Sequence, residues 1–573
     1  MKLFGWGRTW QLVKSRYRLL CVLLLAISTL CWSMDVARMQ YGNADQLVDG
    51  FLFKNAHTIR GSIFPASHTL LFKWPLFWIL SLLHNSRNAS IILTALVAMI
   101  TVGIFSLLLY RIDQRPLVFG TVCLGLASVL TLIPAQTLGG VTAPLNMSML
   151  TGRNLEYIEY IGILVLYIRA GVWRSWQWII ASLALAVLGA SDLLFMWWSI
   201  GGSIVLLGIS YIGHLREYAA TAKRWLSGSV LGWAGAYLLL YVLGKYAVVI
   251  TRSGTDSPGF VHDWGAVRSA IPYLLKGLLL NFGITKSNGR WAIIPAAINM
   301  AIASGCMYAA YRLIQSMVHT RLRDHGSKAM QLFSMLFATT CAAMTAYVIT
   351  DHPYQADARY LSIALFTGFL GLVLYACTTQ IRPDILFMLS GIFFVGIISG
   401  IITTHTFTNR TLANSSLRLR DERIALALQE HPVDVLVGDY WRVYPIKTMT
   451  AHTGQNVLPL TGCFEPVSSL RSNAWRVNLL THSFAYILSS SPSGTPFPIC
   501  NLRSIEFIYG YPTAITVIAG NADHPSEILL FYSNGASDDL EKGVVPPRPV
   551  SGVPTEGRAT PTGSTITPLA DPS

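Results

Sequence analysis

Ionisable side chains stand beside the long apolar blocks of this 573-residue chain, where burying a charge is costly and usually serves a function. The richest group lies between residues 35 and 87 and includes Asp45, Asp49 and Lys73. A carboxylate in such a loop can act as a general base, and a lysine or arginine can hold an anion. Further candidates of the same kind flank later apolar blocks, namely Arg153, Glu156, Glu159, Asp192, Arg359 and Tyr360. Together they predict one polar cleft at one face of a membrane.

The elements that must position these residues are membrane-spanning helices. The composition is 53% hydrophobic and only 12% charged, whereas soluble domains are about a quarter charged. Apolar blocks of about 20 residues are long enough to cross a bilayer. The net charge of +14 comes from Lys and Arg placed beside apolar blocks, which is typical of cytoplasmic loops rather than of a nucleic-acid partner. The sequence therefore predicts an α-helical polytopic membrane protein.

The hydrophobic pattern predicts eleven spans within a transmembrane domain at 1–404. They are 19–34, 88–110, 116–136, 155–171, 177–191, 193–213, 226–250, 291–313, 331–350, 361–379 and 385–404. Segment 67–84 is apolar but interrupted by Lys73 and Pro75. We interpret it as an interfacial helix of the outer loop 35–87, because a further span would turn the basic loops outward.

The distribution of basic residues predicts the orientation. The first span follows a basic segment and lacks a small-residue cleavage site, which indicates a retained helix with a cytoplasmic N-terminus. Loops placed inside are basic, as at Arg111, Arg115 and Arg382, and short loops placed outside are not. The expected location is a plasma or inner membrane, with the chain after residue 404 outside the cytoplasm.

The segment 405–543 has the pattern of a small extracytoplasmic α/β domain. We predict a helix at 420–431 and strands at 433–439, 483–490, 504–510, 513–520 and 527–533. Cys463 and Cys500 are the only cysteines of this part. They favour one disulfide in an oxidising compartment, with two buried thiols as the alternative. Residues 544–573 are rich in Pro, Gly and Thr, which predicts a disordered tail.

Two motifs of the chain carry a resemblance to a known family. The first is a loop Asp, here Asp45 in NADQLVDGFLFKNA, followed by FKWPLFWIL with Lys73 and Pro75. The second is Arg359-Tyr360-Leu361 at the start of a late span. Together they resemble the GT-C superfamily of polyprenyl-phosphate-sugar-dependent glycosyltransferases, which includes aminoarabinose transferases and protein O-mannosyltransferases. The resemblance covers the layout of about 400 residues and is close only over 40–111. The chain departs from the pattern in having Gln46 after the Asp, a Trp between Lys73 and Pro75, and GRNLEYIEY after the third span.

The resemblance implies an inverting transfer of a sugar from a polyprenyl phosphate to an envelope glycan, lipid or protein on the outer face. Asp45 would be the base, with Asp49 as its competitor. Lys73, Arg153 and Arg359 would grip the phosphate, and the same cleft would be lined by Glu156, Glu159, Asp192 and Tyr360. Use of a divalent metal is left open, and no other cofactor is implied. Membrane lipid is expected as a partner and nucleic acid is not.

Structural roles compete with each of these assignments. Asp45 could cap a turn, Lys73 could extend to the membrane interface, and Asp192 could cap a helix. Arg359 could pair with a nearby aspartate, and the two glutamates at 156 and 159 share a helix face suited to an interhelix hydrogen bond. At the level of function, the alternatives are a transporter or flippase of a lipid-linked or polar substrate, and a non-catalytic envelope-binding protein.

Overall fold

A bundle of long apolar helices forms most of the computed structural model. The structure describes residues 6–40, 62–63, 73–83, 87–132, 147, 152–171, 175–246, 248–249, 263–284, 292–319, 327–350, 355–379, 381–413, 416–439, 442–443, 446, 456–461, 465–466, 479, 481–489, 502–518 and 527–535. The first eight helices are α1 (Trp6–Gln40), α2 (Trp74–Leu82), α3 (Arg87–Ile112), α4 (Pro116–Thr131), α5 (Leu155–Arg169), α6 (Trp176–Ser191), α7 (Leu193–Ile212) and α8 (Arg216–Tyr246). They are followed by α9 (Trp264–Asn281), α10 (Ile293–His319), α11 (Lys328–Ile349), a 3-10 helix (Gln355–Leu361), α12 (Ile363–Thr378) and α13 (Pro383–Ala413).

Eight helices of the described residues are long and apolar enough to cross a membrane, so the prediction of a helical membrane protein is confirmed and that of eleven spans is not. The spans predicted at 116–136, 155–171 and 177–191 are the helices α4, α5 and α6, of 16, 15 and 16 residues. At 1.5 Å per residue each is about 24 Å long or less, short of the roughly 30 Å hydrocarbon core. Burial in protein explains the apolar sequence of α4, in which every residue from Val118 to Thr131 is buried.

The short helix α2 agrees with the prediction that residues 67–84 do not span. It has nine residues, about 13 Å, and begins directly after Lys73. Its Leu80 packs with Leu93 of α3, so α2 lies beside the first turns of α3.

Helix α9 lies in a region that the sequence led us to treat as an outer loop. Pro272, Arg268 and Lys276 interrupt its apolar character. A start signal was nevertheless present, because the carboxylate of Asp263 accepts hydrogen bonds from the N–H groups of Gly265 (3.1 Å) and Ala266. The helix ends at Asn281, and two residues later Gly283 has a φ of +73°; a Cβ there would lie 3.0 Å from the carbonyl oxygen of Leu132. Glycine thus allows α9 to end against the end of α4.

The C-terminal part contains a six-stranded sheet, as expected for an α/β region. Helix α14 (Ser416–Glu430) precedes β3 (Val435–Asp439), β4 (Asn456–Thr461), β5 (Glu465–Pro466), β6 (Phe484–Ser489), helix α15 (Leu502–Tyr509), β7 (Ala514–Ile518) and β8 (Glu527–Tyr532). The strand order is β5-β4-β3-β6-β8-β7, with β3 parallel to β4 and β6. A two-residue parallel pair, β1 (Ser62–Ile63) with β2 (Val248–Val249), lies elsewhere in the chain.

One predicted strand of this region is wrong. Residues 504–510 were predicted as a strand because they form a short apolar run, but the chain forms helix α15 over Leu502–Tyr509. Ile505 and Tyr509, one turn apart, are buried in the core of the sheet, whereas Phe507 is 71% exposed. The helical spacing is therefore the one that tertiary packing uses. Cys463, Cys500 and the tail 544–573 lie outside the described residues, so the disulfide and the disorder stay predictions.

Contacts between helix ends give the bundle a basic end. The guanidinium of Arg18 in α1 donates to the hydroxyl of Tyr110 near the end of α3, over 3.1 Å. Arg115, before α4, donates to the carbonyl of Ala376 near the end of α12. Arg224 in α8 donates to the carbonyl of Gly171, after α5, over 2.9 Å. These three arginines thus lie at one end of the bundle, which we call the basic end. The starts of α5, α7 and α12 lie at the other end.

We expect Arg115→Ala to lower the free energy of unfolding by about 1–2 kcal/mol. Arg115 binds both oxygens of the buried Asp113, with Nη2–Oδ2 at 2.6 Å. Burial alone would raise the pKa of Asp113, but its hydrogen bonds with Arg115 outweigh this and hold that pKa below its usual value. Such a lowered pKa stabilises the fold above about pH 4, and this contribution is lost as the pH falls through the folded-state pKa. Denaturation in detergent at pH 7 and pH 3 should therefore show a smaller difference between variant and wild type at pH 3. If wild type and variant differed equally in unfolding free energy at both pH values, the proposed stabilisation of the Asp113 carboxylate by Arg115 would be contradicted.

Candidate functional site

A buried ion pair joins the short helix α2 to the start of α5. The ammonium of Lys73 lies 2.9 Å from Oε1 of Glu156, and the two side chains are 0% and 1% exposed. The same ammonium donates a hydrogen bond to the carbonyl of Gly152. Oε2 of Glu156 accepts from the backbone N–H of Asn154 at 3.0 Å. Lys73 therefore does not extend to a membrane interface, and it ties the α2 segment to the turn that carries Arg153.

A second buried pair follows immediately in that turn. Nε of Arg153 donates to Oδ2 of Asp192 at 2.5 Å, and both side chains are almost fully buried. Oδ1 of Asp192 accepts from the N–H of Leu194 at 3.0 Å, so this aspartate also caps α7, as the sequence alternative predicted. Burial alone would lower the pKa of Arg153, but the carboxylate of Asp192 more than offsets this and the pKa is raised. Arg153 is thus held in its charged form between α5 and α7.

The aromatic ring of Tyr360 joins this pair to the second arginine predicted from the sequence. The guanidinium carbon of Arg153 lies 5.2 Å from the centre of the Tyr360 ring, and that of Arg359 lies at the same distance. Both distances are within the range of cation–π attraction. Nη2 of Arg359 also donates to the Tyr360 hydroxyl at 3.3 Å. Two cations therefore share one tyrosine at the start of α12, and Arg359 is only partly buried.

An aromatic cluster lies next to these charged groups. Tyr157 of α5 stacks on Trp198 of α7, with ring centres 6.2 Å apart, and also contacts Phe195 and Phe366. One turn further, the hydroxyl of Tyr160 hydrogen-bonds with that of Thr339 at 3.1 Å. Because these rings are fully buried, they fix the relative positions of α5, α7 and α12 from which the charged side chains project.

The structure brings together six of the residues singled out in the sequence, although they lie in four separate segments. Lys73, Glu156, Arg153, Asp192, Tyr360 and Arg359 form a continuous cluster that we call the polar cluster. Glu159 lies one turn beyond Glu156 on α5 and is partly exposed. Asp45 and Asp49 lie outside the described residues, as do the side chains of Asp351 and Asp357, the nearby aspartates with which Arg359 could pair. The roles assigned to all of these residues stay predictions.

The polar cluster pairs each fully buried acid with a base, which bears on metal binding. Glu156 faces Lys73 and Asp192 faces Arg153. Over the described parts of the chain, no group of three or more His, Cys, Asp or Glu side chains could hold a metal ion.

Sequence reasoning missed two residues that organise this region. Tyr157 lies between Glu156 and Glu159 in the sequence and has the pattern of an ordinary core residue. In the structure it contacts three aromatic rings of two other helices. Asn281, at the end of α9, donates to the carbonyl of Ala358 at 2.7 Å. The Asp263 cap and the spacing of Leu274, Gly277 and Asn281 were the available signals for α9.

Comparison with known proteins finds neither a family model nor a curated protein that matches this sequence. The geometry of the polar cluster and the motif resemblance are therefore the two grounds for assigning a function.

Proposed function

We propose that this protein is an integral membrane glycosyltransferase of the GT-C type that moves a sugar from a polyprenyl phosphate to a cell-envelope acceptor. The observation that carries the proposal is the polar cluster. Residues from both motifs meet at the turn before α5: Lys73 donates to the carbonyl of Gly152, and the next residue, Arg153, lies over the ring of Tyr360. A motif resemblance by itself does not require residues about 290 positions apart to lie together.

The chemistry of the cluster suits a phosphate leaving group. A departing phosphate needs fixed positive charge and hydrogen-bond donors, and arginine supplies a planar fork of N–H groups. Arg359 is the partly exposed cation of the cluster, whereas Lys73 and Arg153 are buried against carboxylates. We assign the phosphate contact to Arg359 and a supporting role to the two buried pairs. Asp45, or Asp49 in its place, is the proposed base for the acceptor hydroxyl.

The two ends of the bundle support the orientation in which this chemistry faces away from the cytoplasm. Arg18, Arg115 and Arg224 lie at the basic end, which the positive-inside rule places in the cytoplasm. The polar cluster lies at the starts of α5, α7 and α12, the opposite end of those helices. The donor would accordingly be used from the outer leaflet, and the sheet of the C-terminal part would be extracytoplasmic.

Transfer by purified protein in lipid, assayed with a panel of polyprenyl-phosphate sugars, tests the proposal. Arg359→Gln should lower kcat/KM by about 10- to 100-fold, because the departing phosphate loses a charged donor. Arg382→Gln is the matched control, since that arginine is 77% exposed and pairs only weakly with Asp384. Its rate should equal that of the wild type.

Two outcomes would count against the proposal. The first is an absence of transfer with every donor by folded wild-type protein. The second is an Arg359→Gln variant as active as the Arg382→Gln control, which would overturn the assignment of the phosphate contact to Arg359 although the protein would still be an enzyme.

A further inference from the structure

Asn281 is a fully buried amide that connects α9 to the 3-10 helix bearing Arg359 and Tyr360. Its Nδ2 donates to the carbonyl of Ala358 at 2.7 Å and to that of Gly277, in its own helix, at 3.0 Å. Its Oδ1 accepts from the hydroxyl of Ser362 at 3.2 Å. The side chain is 0% exposed. One amide thus holds the residue before Arg359 and a residue two after Tyr360.

The helix backbone approaches the same segment closely. A Cβ on Gly277 would lie 3.0 Å from Cδ1 of Leu361 and 3.5 Å from Cβ of Ala358. Leu361 is buried with Leu274 and Tyr347 in a small core of its own. The 3-10 helix therefore packs on α9 through the close approach of Gly277 and through the hydrogen bonds of Asn281.

We propose that Asn281 is a positioning residue that sets where Arg359 and Tyr360 stand relative to Arg153, and thereby sets the affinity for the phosphate of the lipid-linked donor. The inference rests on the proposed function for its substrate, although the positioning itself does not. A short 3-10 helix has weak hydrogen bonds of its own. Fixing its backbone at Ala358 and its end at Ser362 leaves little freedom for the three residues between them, Arg359, Tyr360 and Leu361. Pre-arranging a binding group in this way improves affinity by reducing the ordering that binding must supply.

A readout that needs no substrate tests the positioning. 3-Fluorotyrosine incorporated at position 360 reports the surroundings of that ring by fluorine NMR in lipid nanodiscs. Asn281→Ala should shift or split the fluorine signal, because the hydrogen bonds to Ala358 and Ser362 are lost. Asn281→Asp should do the same, since it keeps an acceptor for Ser362 but loses the donor to Ala358.

Asn299→Ala is the matched control for the loss of a buried amide. Asn299 is also 0% exposed and accepts a hydrogen bond from Ser128 of α4 at 3.0 Å, and its amide lies near Gly283, just after α9. The fluorine signal should be unchanged in this variant. Gly277→Ala is a second probe if Asn281→Ala folds poorly, because it pushes on Leu361 while keeping the amide, and it should also move the signal.

Kinetics test the consequence for the donor. If Arg359 grips the phosphate equally before and during transfer, Asn281→Ala should raise KM for a polyprenyl-phosphate sugar about tenfold with kcat little changed. A purely structural defect would instead reduce the active fraction, and so lower kcat at constant KM. The latter pattern would overturn the assigned role in donor binding.

The two arms separate failure of the inference from failure of the proposed function. A fluorine signal that is unmoved in Asn281→Ala, or moved equally in Asn299→Ala, overturns the positioning even if the enzyme is active. A wild-type protein without turnover on any donor overturns the proposed function, and the fluorine result then decides the positioning alone.

Discussion

Replacing Lys73 with methionine should lower the free energy of unfolding by about 3–5 kcal/mol. The substitution keeps the length of the side chain and removes its charge. It leaves the carboxylate of Glu156, 1% exposed, without the ammonium that now lies 2.9 Å away. An uncompensated buried charge is among the most costly defects in a folded protein. The carbonyl of Gly152 would also lose its hydrogen bond from Nζ.

Equilibrium denaturation in mixed micelles measures this change, and a double variant sharpens it. Lys73→Met with Glu156→Gln removes both charges, and Gln can still accept from the N–H of Asn154. We expect the double variant to recover most of the loss, because a neutral buried pair costs far less than one isolated charge. Arg382→Met, in an exposed pair, should change stability by about 0.5 kcal/mol or less. Additive effects of the two single substitutions would contradict a direct Lys73–Glu156 interaction.

Asp45→Asn should lower the rate of sugar transfer by about 10²- to 10⁴-fold, the range expected for loss of a general base. An amide keeps the size of the side chain but cannot accept the proton of an acceptor hydroxyl at neutral pH. Steady-state transfer in lipid, beside a measurement of folding, is the required comparison. The effect should appear in kcat and not in donor KM, because the base acts on the transition state.

Asp49→Asn is the natural companion to that variant, since Asp49 lies four residues on in the same loop. A large loss in Asp49→Asn with an active Asp45→Asn would move the base to Asp49 and retain the enzyme. Full activity in both variants would remove the loop carboxylates from the chemistry.

Several features of the fold were predictable because they depend on local composition. Long apolar blocks require helices, whatever their neighbours, and the eight longest were recognisable from the sequence. The strands β3, β6, β7 and β8 were predicted within two residues at either end, because short apolar runs bounded by polar residues are typical of buried strands. Candidate site residues were recognisable because ionisable groups beside apolar blocks are rare.

Features that depend on neighbours were not predictable. An apolar sequence shows that a helix avoids water, but it cannot distinguish lipid from protein, so the buried helix α4 was counted as a full span. Residues 504–510 fit a strand and a helix about equally, and only packing of Ile505 and Tyr509 on the sheet favours the helix. Helix α9 was hidden because Pro272 and two basic residues obscured its apolar face.

The polar cluster shows the same division at a finer scale. By itself, the sequence determined which ionisable and aromatic residues stand beside apolar blocks, since hydropathy and residue type are local properties; they include Lys73, Arg153, Glu156, Asp192, Arg359 and Tyr360. Only the tertiary structure decided that Lys73 is paired with Glu156 and Arg153 with Asp192, leaving Arg359 as the partly exposed cation. The physical reason is that charge pairing and burial are set by which helices pack together. That choice depends on the shapes of many side chains at once, among them Tyr157, Trp198 and Asn281.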